Sequence, residues 1–301
     1  MTALLKTGPW QELERYSVVT PLGIRFWDPA FDTAVSDGLV VTAYPEGARR
    51  PTTAAICTAG GVYAFHRLPG LRAVEYPAGD PASPGSLPFA ARFRIEVTDA
   101  AQRFLPIAFV VDAPFRGVFP TDVSAPQTGA APPGFFLFSA PTRPATPLVA
   151  VVRAQLAERL DAVNERPAAY AVLEVTTPAG DRWLGLADAR GSVASLFPYP
   201  TFSPVANAPA SLMPSTAAAQ QSWSLTIGVR FQPSALRVAP GSALPELRSI
   251  LVQAPAAIWT ARAVPPGEGV SALAATLVFG EELVLRSAQE SVLLVGPGSM
   301  A

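Results

Sequence analysis

The chain has 301 residues, a net charge of −1 and only 15% charged residues, while half of its residues are apolar. This length allows two domains, and the apolar half is enough for each to bury a core. A near-neutral chain lacks the basic surface of a nucleic-acid binder, so that class is excluded. Low charge also favours association, as expected of either a compact protein with few charges or one covered by partners.

Residues 1–15 are predicted to form an N-terminal arm in which Trp10 is a candidate anchor. The arm has neither the apolar core nor the small-residue cleavage site of a secretion signal, so we expect cytoplasmic synthesis and folding. Residues 191–229 carry no charge, but five prolines interrupt them. Prolines at that density prevent a helix of about 20 residues, so no membrane insertion is predicted.

Two parts of the chain, about 130 residues apart, share one pattern of strands and turns. Residues 32–45 and 55–70 contain an Asp-led turn, a β-rich strand, a tight Gly turn, a second strand and an exit that ends in proline. Residues 161–176 and 186–200 repeat this order. Such a repeat predicts two related β modules in tandem, over residues 16–120 and 148–235.

Strict alternation of apolar and polar residues predicts half-buried strands at 91–98 and 222–231. The apolar positions expected to be buried are Phe93, Ile95, Val97, Trp223, Leu225, Ile227 and Val229. The 33 prolines argue against long helices. We therefore predict an all-β fold, with two tandem antiparallel β-sandwiches of immunoglobulin or transthyretin type joined by a Pro-rich linker.

The region between the modules is predicted to be a linker over residues 121–147, rich in Pro, Ala and Gly. The next segment, Leu148 to Val163, would form a helix on propensity. It aligns, however, with residues 22–34, where Gly23 and Pro29 disfavour a helix, so we predict a strand.

The C-terminal part of the chain, residues 236–301, begins with a loop. It contains strand-like runs at 275–279, 282–286 and 291–295. These runs either complete the second sandwich or form a small third unit.

Few side chains in this sequence can carry acid–base or nucleophilic chemistry. His66 is the only histidine and Cys57 the only cysteine, so neither a histidine–cysteine zinc site nor an internal disulfide can be built. Cys57 could form a catalytic dyad with His66 across a hairpin, but we expect it to be a buried, unreactive thiol. No catalytic or phosphate-binding motif occurs. We therefore predict no catalytic residue, no metal, no cofactor and no enzymatic activity.

Two further residue types are candidate binding groups. Loop aspartates could bind calcium, but the alternating ligand spacing is absent, and Asp in turns commonly bonds its own backbone. The aspartates concerned are Asp28, Asp32, Asp37, Asp161 and Asp188. Tryptophans could build a sugar platform, although core or interface anchoring is the expected use. The tryptophans concerned are Trp27, Trp183, Trp223 and Trp259.

The repeated hairpins resemble those of the carboxypeptidase-regulatory-like, or transthyretin-like, β-sandwich. The matching residues are 58–70 and 187–200, and the resemblance covers about half the chain. Residues 92–106 and 281–295 are similar to parts of accessory structural proteins encoded with phage-tail-like contractile injection systems. This second resemblance implies a protein that acts by assembly, so it implies no catalytic or binding site.

We therefore expect a non-enzymatic structural subunit of a large particle, such as a baseplate, collar, cap or fibre-associated component. Its partners would be other structural subunits of the same particle, in multiple copies. The alternative is a carbohydrate-binding or adhesive β-sandwich protein. Aromatic residues are enriched at interfaces. The candidate interface residues are Trp10, Phe135, Phe136, Phe138 and Trp259.

Overall fold

The computed structural model describes residues 18–48, 51–76, 90–115, 117–119, 134–161, 163–200, 221–240, 242–265 and 268–297. The predicted arm with Trp10, and residues 121–133 of the predicted linker, lie outside these ranges. The described chain is nearly all β and its helices are short, which confirms the predicted all-β sandwich class. None of the helices in this described part is long and apolar enough to cross a membrane.

The first module consists of two sheets packed face to face. Its strands are β1 (Leu22–Asp28), β2 (Thr33–Val35), β3 (Leu39–Pro45), β4 (Thr53–Ala54), β5 (Ile56–Cys57), β6 (Val62–Phe65), β7 (Ala91–Asp99), β8 (Ile107–Ala113), β9 (Val118–Phe119) and β10 (Phe135–Phe136). A short helix, α1 (Arg72–Glu75), follows β6. One sheet has the order β10-β1-β6-β5, with β2 and β9 also paired to β1, and the other has the order β4-β3-β7-β8. The apolar side chains between them form one core.

The second module has the same two-sheet plan. Its strands are β11 (Val149–Arg159), β12 (Glu165–Pro167), β13 (Val172–Thr176), β14 (Arg182–Leu186), β15 (Ser192–Pro198), β16 (Ser222–Arg230), β17 (Ala256–Trp259), β18 (Leu273–Val278), β19 (Glu282–Leu285) and β20 (Leu293–Pro297). A 3-10 turn (Pro233–Ala235) and helix α2 (Leu247–Leu251) lie between β16 and β17. One sheet has the order β12-β11-β20-β17, with β15 and β19 also paired to β11, and the other has the order β14-β13-β16-β18.

The first strand of each module changes its neighbours halfway along its length. The first half of β1 pairs with β6 and β9, and its second half pairs with β2 and β10. Likewise, the first half of β11 pairs with β15 and β19, and its second half pairs with β12 and β20. The predicted repeat is therefore present as one pairing scheme used twice. One difference from a purely antiparallel sandwich is that β9, β10, β19 and β20 run parallel to the first strand of their module.

The segment of ambiguous propensity forms the long strand β11, as the repeat predicted. Its partners hold it extended on both sides, so the tertiary pairing overrides its helical propensity. The C-terminal strands β19 and β20 pair with β11 and so belong to the second sandwich. The end of the predicted linker also differs from its prediction, because β10 pairs with β1 inside the first module.

The two strands predicted from alternation have their apolar side chains in the cores. All seven predicted positions are buried: Phe93, Ile95, Val97, Trp223, Leu225, Ile227 and Val229. Alternation succeeds here because each strand covers one sandwich core with one face.

The turn between β14 and β15 requires a glycine. Gly191 has a φ of +81°, and a Cβ at this position would lie 2.3 Å from the carbonyl oxygen of Leu156. That oxygen belongs to β11, so the turn is pressed against the central strand of the module. A side chain at position 191 would therefore be disfavoured by the positive φ and would also clash with the backbone of β11.

Candidate functional site: the cleft between the modules

The structure separates the two groups of the candidate dyad. Cys57 lies opposite Tyr63 in the β5–β6 pair, and His66 lies three residues beyond Tyr63. At the rise of an extended strand, these three residues span about 10 Å, which is too far for a hydrogen bond. The Cys57 thiol instead donates to the carbonyl oxygen of Ser36 at 3.2 Å, and His66 Nε2 lies 3.5 Å from the Thr20 hydroxyl.

The loop aspartates are engaged in turns and ion pairs of the chain itself. Asp161 accepts the backbone N–H groups of Val163 and Asn164 and the Asn164 side-chain amide, each at 2.7 Å. Asp188 accepts the backbone N–H groups of Arg190 and Ser192. These are the local bonds expected of Asp in turns.

The other three aspartates are bound to side chains. Asp32 accepts the Trp27 indole N–H, Asp37 pairs with Arg103, and Asp28 pairs with Arg143. Among the described residues, no group of three or more His, Cys, Asp or Glu residues could hold a metal ion.

The aromatic interface candidates lie in the interior of the chain. Phe135, Phe136 and Phe138 are 3%, 7% and 3% exposed, and Trp259 is 8% exposed. Phe135 stacks on Phe109 with ring centroids 4.2 Å apart. These rings are therefore used in packing within the chain and are not available to a partner in this conformation. The fifth candidate, Trp10, lies outside the described residues.

The tryptophans considered for a sugar platform are buried or half-buried. Trp27 and Trp183 are half-buried, while Trp223 and Trp259 are buried. Trp183 stacks on Phe197 with centroids 5.7 Å apart, and Trp223 lies against Tyr199. These four tryptophans do not form an exposed platform.

A polar site lies where the second module crosses the outer face of the first. The crossing segment, residues 237–246, will be called the insert. Glu246 of the insert forms a parallel bridge with Ala108 of β8. Helix α2 follows the insert, and its Leu247, Ile250 and Leu251 join the core of the first module.

A cavity of about 270 Å³ lies between the insert and the sheet β4-β3-β7-β8. It is lined by Tyr44, Glu46, Gly47, Ala48, Arg94, Val110, Arg237, Val238, Ala239, Pro240 and Glu246. This volume is slightly below the range of small-molecule pockets, about 300–1,000 Å³. Because residues of both modules line this cavity, we call it the cleft.

Arg94 is the central side chain of the cleft. Although it lies on the polar face of an alternating strand, it is only 2% exposed because the insert covers it. Its Nη2 atom donates to the Ser242 hydroxyl at 2.9 Å and to the Leu244 carbonyl oxygen at 2.7 Å. Its Nε atom lies 3.4 Å from Glu96 Oε1. Arg94 thus joins β7 of the first module to the insert of the second.

Glu96 completes this polar network. Its Oε1 atom accepts the Tyr44 hydroxyl, and it accepts the Ser242 hydroxyl at 3.0 Å. Burial raises the pKa of Glu96, but the hydrogen bonds from Tyr44, Ser242 and Arg94 outweigh burial and hold this pKa below its ordinary value. Burial, followed by the neighbouring Glu96 carboxylate, raises the pKa of Tyr44.

The pKa values of Glu96 and Tyr44 are both shifted away from neutrality. Glu96 is a weaker base and Tyr44 a weaker acid than the free side chains, whereas proton transfer near neutral pH favours pKa values closer to 7. The hydroxyl, carboxylate and guanidinium groups also bond one another. The arrangement is therefore suited to fixing one module on the other.

Sequence reasoning missed this cleft for an identifiable reason. Arg94 and Glu96 occupy the face of β7 that alternation assigns to solvent, and the insert falls in a segment predicted to be a loop. The signal available was the extra length between β16 and β18, which has no counterpart between β7 and β8.

Comparisons with known proteins identify no family. No family model matches the chain, and no curated protein matches it. Among solved structures, the chain is similar to the Bacillus anthracis TIE protein at 9% identity and a TM-score of 0.21, over 73% of this chain. It spans only 30% of that protein. It is also similar to the C-terminal fragment of the pilus adhesin SpaC from Lactobacillus rhamnosus GG, at 9% identity and a TM-score of 0.19. That similarity covers 93% of this chain and 99% of the fragment.

Proposed function

We propose that this chain is a non-enzymatic structural component of a larger protein assembly, and that its second module provides the contact surface. The observation that supports this most directly is the unequal covering of two equivalent sheets. The insert covers part of the outer face of β4-β3-β7-β8 in the first module. The equivalent face of β14-β13-β16-β18 in the second module is largely exposed on β16 and β18.

The exposed face has an unusual composition, and we name it the Ser/Thr face. Its residues are Ser222, Ser224, Thr226, Gly228, Ala274, Thr276 and Val278. It contains no charged residue where β16 and β18 pair, and Arg230 at the end of β16 lies beyond that stretch. The adjacent Glu174 on β13 is held by Arg182 and Arg230. Burying an unpaired charge costs free energy. A partner can therefore cover an uncharged face at a lower desolvation cost than a charged one.

The first assembly to test is a phage-tail-like contractile injection particle, because of the resemblance of residues 92–106 and 281–295 described above. In such a particle the chain would occur in multiple copies, bound to other structural subunits and assembled in the cytoplasm. The proposal includes no nucleic-acid partner, in keeping with the net charge of −1.

The test uses a tagged copy expressed from its own locus. Particles are purified by sedimentation, and the tagged chain is expected to travel with them. A Ser224→Arg variant places a charge in the middle of the Ser/Thr face and should stay in the soluble fraction. The matched control is Ser234→Arg, because Ser234 is exposed in the 3-10 turn and is not one of the residues of that face.

Both variants should keep the wild-type circular dichroism and melting temperature, since both positions are exposed. The proposed function is wrong if the wild-type chain sediments only as free protein and its deletion leaves particles unchanged. The proposed surface is wrong if Ser224→Arg enters particles as efficiently as Ser234→Arg.

A further inference from the structure

In the part of the chain that the structure describes, the sheet that carries the Ser/Thr face ends on a strand that is paired on one side only. Its order is β14-β13-β16-β18, and within the described part of the chain β18 pairs only with β16. The Phe279 N–H donates to the Gln221 carbonyl oxygen at 3.0 Å, which fixes the alternation of bonds along this antiparallel pair. In that alternation, Leu273, Ala275 and Leu277 bond toward β16. The N–H groups of Ala274, Thr276 and Val278 point toward the free edge.

The equivalent edge of the first module is bridged by the insert at one position. There β8 is the last strand of β4-β3-β7-β8, and Ala108 on it forms a parallel bridge with Glu246 of the insert. The two modules share one pairing scheme, so β8 and β18 occupy equivalent positions. The described chain supplies a partner for the edge of β8 and none for the edge of β18.

The sequence of β18 has none of the usual protection of an edge strand. It reads Leu-Ala-Ala-Thr-Leu-Val, without a charge, a proline or a glycine. Natural proteins discourage pairing at exposed edges with lysines, prolines or bulges. A six-residue strand without them is a template on which another strand can form hydrogen bonds.

We propose that β18 pairs antiparallel with β18 of a second copy of this chain, around a two-fold axis that passes at Thr276. The residues that point outward are Ala274, Thr276 and Val278, which are placed symmetrically about Thr276. Thr276 then faces its own copy, and Ala274 faces Val278 of the other strand. The Ala274–Val278 contact then occurs twice, once on each side of the axis, as in other isologous dimers.

Two features of the surroundings favour a second copy as the occupant. Neither β18 nor the facing residues of β16 carry charge, so two copies meet without like-charge repulsion. Leu273 and Ala275 are only partly buried against the core of the module, and a second strand would cover them further. The product is one continuous eight-stranded sheet. Pairing of this kind does not depend on the proposed function, because purified chains can form it alone.

The first test removes one outward N–H group. Thr276→Pro eliminates the donor that faces the partner, whereas the bonds between β18 and β16 use Leu273, Ala275 and Leu277. Proline is tolerated on an edge strand when its missing N–H faces solvent. The control, Thr276→Val, keeps the N–H and a β-branched side chain. In sedimentation velocity, wild type and Thr276→Val should be dimers, and Thr276→Pro should be a monomer with unchanged circular dichroism.

The second test checks the register by cross-linking and does not require a proline variant to fold. In a Cys57→Ser background, Thr276→Cys places two thiols across the axis at a Cα–Cα distance of about 5.5 Å, within disulfide range. The control is Ser224→Cys, because Ser224 lies opposite Thr276 on β16. Its two copies would be three strand spacings, about 15 Å, apart.

Mild oxidation should link Thr276→Cys into a covalent dimer and leave Ser224→Cys monomeric. The proposal is overturned if wild type remains monomeric at all soluble concentrations, or if both cysteine variants cross-link equally. A dimer that persists in folded Thr276→Pro would also overturn it. Dimerisation of the purified chain without entry into particles would retain this inference and reject the proposed function.

Discussion

Replacing Arg143 by leucine tests a buried ion pair within the first module. Arg143 and Asp28 are 6% and 4% exposed. The guanidinium donates to both Asp28 oxygens, at 3.2 and 2.5 Å, and to the Ser139 hydroxyl at 3.0 Å. It also lies over the Phe104 ring at 4.8 Å. This cluster holds the segment after β10 against the end of β1.

The loss of stability expected for Arg143→Leu follows from the environment in which Asp28 is left. Asp28 would stay buried, with the Ala30 N–H at 3.0 Å as its remaining local donor. Removing one partner of a buried ion pair typically costs about 3–5 kcal/mol, because the other charge is left uncompensated. We therefore expect the free energy of unfolding to fall by about that amount. Arg286→Leu, at an exposed position, should change it by less than about 0.5 kcal/mol.

The assay is urea unfolding followed by circular dichroism, extended to a double-mutant cycle with Asp28→Asn. Asparagine keeps an acceptor for the Ala30 N–H but removes the buried charge. The double variant should therefore be less destabilised than the sum of the two single variants, by at least about 1 kcal/mol. Additive losses, or an Arg143→Leu cost below about 1 kcal/mol, would refute the buried-charge argument.

Three further predictions concern a turn, an exposed carboxylate and the cleft. Gly191→Ala should destabilise by clearly more than the about 1–2 kcal/mol expected from a positive φ alone. Gly180→Ala (φ +91°, no atom within 4 Å) should show only that strain in the same urea assay. The Asn164 side-chain amide is the main reason that the pKa of Asp161 is lowered to about 2. Asn164→Ala should raise it toward 3.8 in an NMR titration, and remove stability that is present above pH 3.8 and lost on acidification toward pH 2. Arg94→Met should leave both sandwich cores protected and speed amide hydrogen exchange in the insert; unchanged exchange there would contradict its joining role.

The sequence predicted strands and their buried faces correctly where a local pattern of apolar residues follows directly from the packing. The alternation in β7 and β16 identified their buried faces, and the repeat identified β11 as a strand despite its helical propensity. It failed where the decisive neighbour is distant in sequence. Arg94 is buried by the Leu244 segment, 150 positions away, and no local pattern records that covering.

In the predicted linker, too, the sequence did not reveal a contact with a distant part of the chain. Its composition is rich in proline, alanine and glycine, as expected of a flexible connection. Phe135 within it nevertheless pairs with Phe26 of β1 and stacks on Phe109 of β8. Composition describes the average of a segment, whereas a few aromatic residues were sufficient to attach its end to a core.

The parallel pairing of first and last strands has a mechanical consequence. In the second module, the chain enters at the start of β11 and leaves at the end of β20, and these neighbours point the same way. A force that pulls the entry and exit apart therefore slides the two strands along each other. In that geometry several hydrogen bonds carry the load together, whereas a hairpin pulled at its open end loses them one at a time. The first module, with β9 and β10 parallel to β1, is loaded in the same way. A load passed along the chain from one module to the next therefore meets this shear geometry twice.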